Sequence, residues 1–198
     1  MTTHLYHSPR SRSTRVLWTL EELGDPHELT LLTLEERRGT EHRARHPLGR
    51  VPVIEDGGEL LFESAAIVLA LADRDPLERL SFPLRSRERE LTYQWAFFAM
   101  LELEVPVGVV RAEREGDPAR ADAALERVRA AAAVVERELE GREFIVGGRF
   151  SAADIVLGSV VVLARDNGML DGGFPEVHRY AAAIAARPAR VRAYAVSA

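Results

Sequence analysis

The sequence has 198 residues, of which 46% are hydrophobic and 29% charged, so it is long enough for one large globular domain or two small ones. All 26 basic residues are arginine, and they are outnumbered by 31 acidic residues; the net charge of -5 disfavours binding to nucleic acid or anionic lipid. Because the chain contains no cysteine, it has no disulfide, cysteine nucleophile or thiolate metal site.

Short strand-like and helix-like segments alternate over the first 72 residues. In chain order we predict a strand at 4–7, a helix ending at Gly24, a strand at 29–32, a polar helix at 35–45, a strand at 51–54, a tight turn at 56–58, a strand at 60–62 and an apolar helix at 65–72 capped by Ser64. This βαβαββα order, with a proline opening the third strand, predicts a thioredoxin-like α/β domain over residues 1–73.

The remainder of the chain has helical periodicity throughout. Residues 74–84 contain two prolines and are predicted to be a linker. Beyond them, apolar residues recur at intervals of three and four, and Ser151 to Asp154 form a capping-box variant ahead of a buried central helix. We therefore predict an all-α helical bundle over residues 85–198.

Targeting and membrane signals are weak in this sequence. The N-terminal residues lack the apolar core of a signal peptide. The longest apolar run, 152–164, is interrupted by Asp154 and is shorter than the ~20 residues that cross a bilayer. We expect a cytoplasmic protein without a membrane partner.

A serine- and arginine-rich turn, from Ser8 to Arg15, joins the first strand to the first helix. Its hydroxyls lie where the first N–H groups of a helix have no partner in the helix. They are either ordinary helix caps or, together with the positive helix end, a site for one anionic atom.

The Val51-Pro52 dipeptide opens the third predicted strand. If the bond is cis, Val51 can present both its N–H and its C=O to an extended peptide; the alternative is an edge-strand proline in trans. The third stretch is Glu63-Ser64 at the start of the apolar helix. It is either a simple cap or a site for the ammonium and carboxylate groups of an amino acid. A thiolate-sized anion site, a peptide-pairing strand and an amino-acid site together fit γ-glutamyl-cysteinyl-glycine, which is glutathione.

The sequence resembles the glutathione transferase superfamily over essentially its whole length. Leu-Tyr-His-Ser-Pro-Arg-Ser-Arg-Ser-Thr-Arg is similar to the active-site turn of the bacterial serine-type members with a theta- or zeta-like N-terminal motif. His-Pro-Leu-Gly-Arg-Val-Pro-Val is similar to the cis-proline motif, and Phe-Glu-Ser-Ala-Ala-Ile to the γ-glutamyl motif. The resemblance implies an enzyme that conjugates glutathione, as co-substrate, to a small hydrophobic electrophile, and it implies a homodimer.

The resemblance also assigns roles to individual residues. Ser11, four residues before an arginine, corresponds to the catalytic hydroxyl, with Ser13 or Tyr6 as alternative partners of the thiolate. The glutathione-binding residues that it implies are Arg12, Arg50, Val51, Pro52, Glu63 and Ser64.

Several alternatives stay open at the level of the sequence. The chain is either a transferase, a scaffold of the same fold with a binding or regulatory role, or a glutathione-dependent isomerase or reductase. Another low-molecular-weight thiol is an alternative to glutathione. His42 and His46 have metal-binding spacing but lack a third ligand, so we expect no metal site. Aromatic residues of the first long helix after the linker are more typical of a core than of a substrate pocket.

Overall fold

The computed structural model describes residues 2–196. The strands are β1 (Thr3–His7), β2 (His27–Leu31), β3 (Val53–Asp56) and β4 (Glu59–Phe62). The helices are α1 (Ser13–Leu23), α2 (Leu34–Arg38), α3 (Thr40–Arg45), α4 (Ser64–Arg74), α5 (Arg87–Phe98), α6 (Val105–Glu113), α7 (Pro118–Glu138), α8 (Ala152–Asp166), α9 (Pro175–Ala185) and α10 (Pro188–Ala195). A π-helical segment (Ala99–Glu104) joins α5 to α6.

The described residues form two compact units, one of residues 2–80 with 187–196 and one of residues 81–186. The first unit contains a sheet in the order β2-β1-β3-β4, in which β1 and β2 are parallel and the other neighbours antiparallel. The second unit is helical. The predicted fold class, a thioredoxin-like domain followed by a helical domain, is confirmed.

The register of the sheet brings three chain segments to one end of it. Tyr6 pairs with Val53, and Val53 pairs with Phe62. Because β3 is antiparallel to both neighbours, the exits of β1 and β4 lie beside the entrance of β3. The turn after His7, the loop before Val53 and the segment after Phe62 therefore share the same edge of the first unit.

Helices α1 and α4 pack against each other, and both contribute to the core of the first unit. The apolar side chains of α1 are buried, and Trp18 and Leu20 have no exposed surface. Leu5 of β1 and Ile67 of α4 are equally buried. Burial of such side chains is the main force that holds the two helix N-termini at fixed positions over the sheet.

Three local features differ from the sequence predictions. The polar helix at 35–45 is broken into α2 and α3, because Gly39 is extended (ψ 159°) and serves as the N-cap of α3. Strand β3 begins at Val53 rather than Val51, since the preceding residues lie outside the ladder. Helix α4 starts at Ser64 itself, and Glu63 occupies the N-cap position that was predicted for Ser64.

The last helix, α10, packs on α1 within the first unit, although the sequence pattern placed residues 85–198 together. Arg187 forms two short bonds with Glu22, at 2.6 and 2.8 Å, and Arg192 pairs with Glu21 at 2.6 Å. Both carboxylates are only partly exposed in the structure, but two adjacent glutamates in a sequence are equally compatible with a solvated face. The docking is therefore visible only in the structure.

The second unit contains the buried capping box that the sequence predicts. The fully buried Asp154 accepts hydrogen bonds from the Ser151 and Ile145 backbone N–H groups, at 2.9 and 3.0 Å, and from the Tyr180 hydroxyl at 3.0 Å. Burial raises the pKa of Asp154 to about 6. No helix within residues 2–196 is long and apolar enough to cross a membrane.

Gly49 fixes the loop that leads into β3. Its φ is +60°, and a Cβ atom at this position would lie 2.5 Å from the carbonyl oxygen of Arg37 at the end of α2. Only glycine combines this backbone conformation with so close an approach. Gly58, in the β3–β4 turn, also has a positive φ (+87°), but a Cβ there would meet nothing within 4 Å.

We expect Gly49→Ala to lower the free energy of unfolding by about 3 kcal/mol or more, since strain and a backbone clash add together. The matched control, Gly58→Ala, should lose only about 1 kcal/mol, because it introduces the strained φ without the clash. Urea unfolding of both variants measures the difference. Equal losses would show that the contact between residues 37 and 49 does not constrain the loop.

Candidate active site

The turn between β1 and α1 places the hydroxyl of Ser11 at a helix N-terminus. Ser11 is half-buried; its Oγ accepts the N–H of Ser13, the first residue of α1 (3.2 Å), and donates to the carbonyl of Ser8 (2.6 Å). Arg12 is exposed and occupies the N-cap position without a capping bond from its side chain. The Ser11 oxygen thus lies beside the positive end of the α1 dipole.

Ser13 and His7 form a buried polar pair directly behind Ser11. The Ser13 Oγ lies 2.7 Å from Ser11 Oγ and 2.7 Å from Nδ1 of His7. Ser13 and His7 have no exposed surface, which distinguishes Ser13 from the accessible Ser11. Burial lowers the pKa of His7 to about 4, so this imidazole is neutral at pH 7.

Tyr6, the other alternative partner for a thiolate, is engaged elsewhere. Successive side chains of β1 point to opposite faces, and the Tyr6 hydroxyl donates to Glu55 at 3.1 Å. The guanidinium of Arg45 lies 4.4 Å from the centre of the Tyr6 ring. Burial and the bond to Glu55 raise the pKa of Tyr6, which makes its phenolate less available.

The loop before β3 carries the second predicted stretch. The Val51-Pro52 peptide bond is cis, which is one of the two conformations that the sequence left open. Val51 is nearly buried, and the register of β3 begins two residues later, at Val53. Nε2 of His42 in α3 donates to the carbonyl of Arg50 (2.8 Å) and holds the loop, while the Arg50 side chain is exposed.

Glu63 and Ser64 form the third stretch, at the start of α4. Glu63 is exposed and has φ +73°, a conformation that non-glycine residues rarely adopt and that is enriched at functional sites. Its side chain makes no capping bond, so the carboxylate is free to serve another partner. Ser64 is buried, and Nη1 of Arg15 lies 3.5 Å from its hydroxyl.

Arg15 and His46 connect the three stretches. Arg15 extends from α1 to the first residue of α4, so it links the N-termini of the two helices. The ring of His46 lies 4.8 Å from that of Phe62, the residue before Glu63. Burial lowers the pKa of His46. The negative charge of Glu63 raises this pKa, whereas the positive charge of Arg50 lowers it. The predicted residues therefore gather at one end of the sheet.

The sequence did not point to His7 or to the contact of Arg15, and it marked His46 only for its metal-binding spacing with His42. A histidine at the end of a strand, next to a serine-rich turn, is the only signal for His7 in the sequence. Among residues 2–196, no cluster of three or more acidic, histidine or cysteine side chains is arranged to hold a metal ion. His42 and His46 instead bond to backbone groups of the loop at residues 48–50.

Comparison with known proteins decides the family. Residues 5–79 match the glutathione S-transferase N-terminal domain, and residues 98–188 match the glutathione S-transferase C-terminal domain. Glutathione S-transferase GstB of Escherichia coli K12 is 30% identical over 184 residues, which cover 88% of each chain. The chain belongs to the glutathione S-transferase superfamily. This membership supports glutathione transferase function in the broad sense.

Solved structures of other transferases have the same fold. A glutathione transferase from Methylococcus capsulatus superposes with a TM-score of 0.88 at 27% identity and covers 98% of this chain and 97% of its own. A sphingomonad glutathione S-transferase, solved in complex with glutathione, has a TM-score of 0.86 at 30% identity, with 96% of both chains covered. The predicted serine-type subclass of this transferase stays a prediction.

The neutrality of His7 predicts a pH dependence of stability. The unfolded chain binds a proton at residue 7 near pH 6.5, whereas the folded protein does so only near pH 4. Stability is therefore lost as the pH falls from about 6.5 to about 4, and His7 accounts for about 3 kcal/mol of the loss. Urea unfolding across this range should show a smaller loss for His7→Asn than for the wild type.

Comparing the two proteins cancels the contributions of all other titrating groups. Asparagine retains a side-chain N–H that can reach Ser13, so the variant keeps the hydrogen bond but has no group that titrates. If wild type and His7→Asn lost the same stability over this pH range, His7 would not be buried as a neutral group.

Proposed function

We propose that this transferase binds glutathione at the end of the sheet in its first unit and holds the thiol as a thiolate through the hydroxyl of Ser11. The observation that carries this proposal is the position of Ser11, which is the accessible hydroxyl at the N-terminus of α1 and lies at the same sheet end as Val51 and Glu63. A hydroxyl donor and a helix N-terminus both favour a negative sulfur atom.

The remaining residues of the site suit the other parts of the tripeptide. Val51 lies just outside the ladder, so its backbone N–H and C=O can pair with the cysteinyl residue of glutathione, as one residue of an added strand. The exposed carboxylate of Glu63 suits the ammonium group, and Ser64 with the first N–H groups of α4 suits the γ-glutamyl carboxylate. Pro52 fixes the conformation of the Val51 backbone that would pair with the cysteinyl residue.

Two arginines provide positive charge around this tripeptide. Arg50 is exposed and follows Gly49 in the loop, a position that suits the glycine carboxylate of glutathione. Arg12, exposed at the N-cap of α1, adds charge near the predicted position of the sulfur. Exposed charges of this kind accelerate the encounter with an anionic ligand more than they increase its final affinity.

The energetic demand on Ser11 is modest. A free thiol with a pKa of about 8.5 is only slightly ionised at pH 7, and lowering that pKa by about two units requires about 2.7 kcal/mol. A hydrogen bond to a charged group contributes about 1.5 to 3 kcal/mol, and a helix N-terminus adds roughly 0.3 to 2 kcal/mol. Ser11 and the amides of α1 therefore suffice together, without a metal ion.

The thiolate would then attack an electrophilic carbon of a small hydrophobic second substrate. The sulfur supplies the electron pair of the new C–S bond, and the pair of the broken bond leaves with the departing group or is protonated in an addition. Ser11 is a donor and forms no covalent bond. A homodimer, which the resemblance implies, and a cytoplasmic location, which the sequence itself suggests, stay predictions.

We expect glutathione binding at neutral pH to release close to one proton for each site, because the bound thiol ionises. Calorimetric titration in two buffers of different ionisation enthalpy gives the affinity and the number of protons together. Ser11→Ala should abolish most of the release while the fold is retained. Ser8→Ala is the matched control, since Ser8 contributes its backbone N–H and C=O to the turn, and it should release protons like the wild type.

Each other outcome of this titration has a definite meaning. Binding without proton release would contradict thiol activation and favour a glutathione-binding scaffold or a different reaction. Failure of glutathione to bind would contradict the proposal altogether. Release that is unchanged in Ser11→Ala would remove Ser11 as the thiolate partner.

Glu63→Ala should weaken glutathione binding by tenfold or more, about 1.4 kcal/mol, because the ammonium group loses its carboxylate partner. Glu59→Ala is the matched control: it removes an equal exposed charge from β4, but at the end of the sheet away from the site. It should leave the affinity within about twofold of wild type. If Glu63→Ala kept wild-type affinity while remaining folded, Glu63 would not belong to the glutathione site.

A further inference from the structure

A continuous chain of hydrogen-bonding groups leads from the interior of the first unit to Ser11. It begins at His7 Nδ1, passes through Ser13 Oγ at 2.7 Å and reaches Ser11 Oγ after another 2.7 Å. The chain ends at the carbonyl of Ser8, which lies 2.6 Å from Ser11 Oγ. Each hydroxyl has a single proton, so the protons along this chain can point in only one direction at a time.

The imidazole of His7 determines that direction. It is neutral, so only one of its nitrogens bears a proton. Its Nε2 is buried and has no hydrogen-bond partner among the described residues. A proton on Nε2 would therefore be a buried, unpaired N–H, whereas a proton on Nδ1 is bonded to Ser13. A neutral imidazole at this position thus favours the tautomer in which Nδ1 donates.

The hydroxyl oxygen of Ser13 can accept two hydrogen bonds. With Nδ1 donating, Ser13 Oγ accepts from His7 and from the Ser8 N–H, at 3.1 Å, and both of its lone pairs are used. Its own proton then has two acceptors, Ser11 Oγ at 2.7 Å and the Ser8 carbonyl at 3.1 Å, and the shorter contact is to Ser11, whose oxygen also accepts the Ser13 N–H. The lone pairs of Ser11 are filled as well, so its hydroxyl can act outward only as a donor.

We propose that His7 is a positioning residue for thiol activation, which acts through Ser13 to keep the hydroxyl of Ser11 oriented as a donor toward the glutathione sulfur. This inference rests on the proposed function. When the thiolate is present, the Ser11 proton exchanges the Ser8 carbonyl for the sulfur, and the new bond is stronger because its acceptor is charged. Donors that follow one another in a single direction also polarise each other.

Without His7 the direction of the chain is no longer fixed. One lone pair of Ser13 Oγ is then open to a new donor, while the Ser13 proton can be taken by the Ser8 carbonyl, 3.1 Å away. Ser11 in turn can donate inward to Ser13, 2.7 Å away, instead of outward to the sulfur. The thiolate must then compete with Ser13 for one proton, which raises the pKa of the bound thiol without removing any group that touches glutathione.

The test measures the pKa of the thiol of bound glutathione, by thiolate absorbance in the ultraviolet as a function of pH, in full-length variants. His7→Phe removes the donor and retains a ring, Ser13→Ala breaks the chain at its centre, and His7→Asn restores an N–H close to Nδ1. We expect the first two to raise the thiol pKa by about one unit and His7→Asn to remain close to wild type. Glutathione affinity at high pH, where the thiol ionises without assistance, should change by less than about threefold.

The double variant His7→Phe/Ser13→Ala should raise the pKa no further than either single variant, because the two residues act in series. A purely structural role for His7 would lower affinity or stability and leave the thiol pKa unchanged. If Ser11→Ala raised the pKa while His7→Phe and Ser13→Ala did not, the inference would be overturned and the proposed function would stand. If Ser11→Ala itself left the pKa unchanged, the proposed function would fail. Equal effects of His7→Asn and His7→Phe would overturn the donor role of Nδ1.

Discussion

The pairing of Tyr6 with Val53, and of Val53 with Phe62, is the constraint on which the candidate site of this transferase depends. It brings the exits of β1 and β4 to the same end of the sheet as the entrance of β3. Both helices that follow these exits, α1 and α4, must therefore begin there, with their free N–H groups directed to the same region. A slip of one residue in this register would separate the stretches and reverse the faces of β1.

Alternation along β1 separates two polar neighbourhoods that are adjacent in the sequence. Tyr6 lies on the side of Glu55 and Arg45, and His7 lies on the side of Ser13 and the α1 turn. The two titratable side chains, Tyr6 and His7, are thus adjacent in the sequence but lie on opposite faces of β1. The candidate site has a buried neutral histidine behind the Ser11 hydroxyl. Arg15 is buried beside Ser64, whereas Arg12, Arg50 and Glu63 are exposed, where water lowers the cost of their charge.

The sequence predicts the element order, the fold class and the three stretches that the structure brings together, because periodicity and turn residues are local properties. The break at Gly39 was not predictable, since glycine within a polar helical pattern does not reveal its ψ angle. The contact of Arg15 with Ser64 depends on the packing of α1 on α4, and the burial of His7 depends on what covers the end of β1. Contacts of this kind, between residues far apart in the sequence, cannot be predicted from the spacing of residues.

The docking of α10 on α1 has a consequence for the order in which the protein can be assembled. Residues 187–196 complete the first unit, yet the whole helical unit of residues 81–186 precedes them in the chain. During synthesis, the surface of α1 that packs against α10 therefore stays uncovered until α10 has left the ribosome. The unit that contains Ser11 is therefore completed only after the helical unit has been synthesised, so its maturation depends on synthesis of residues 81–186.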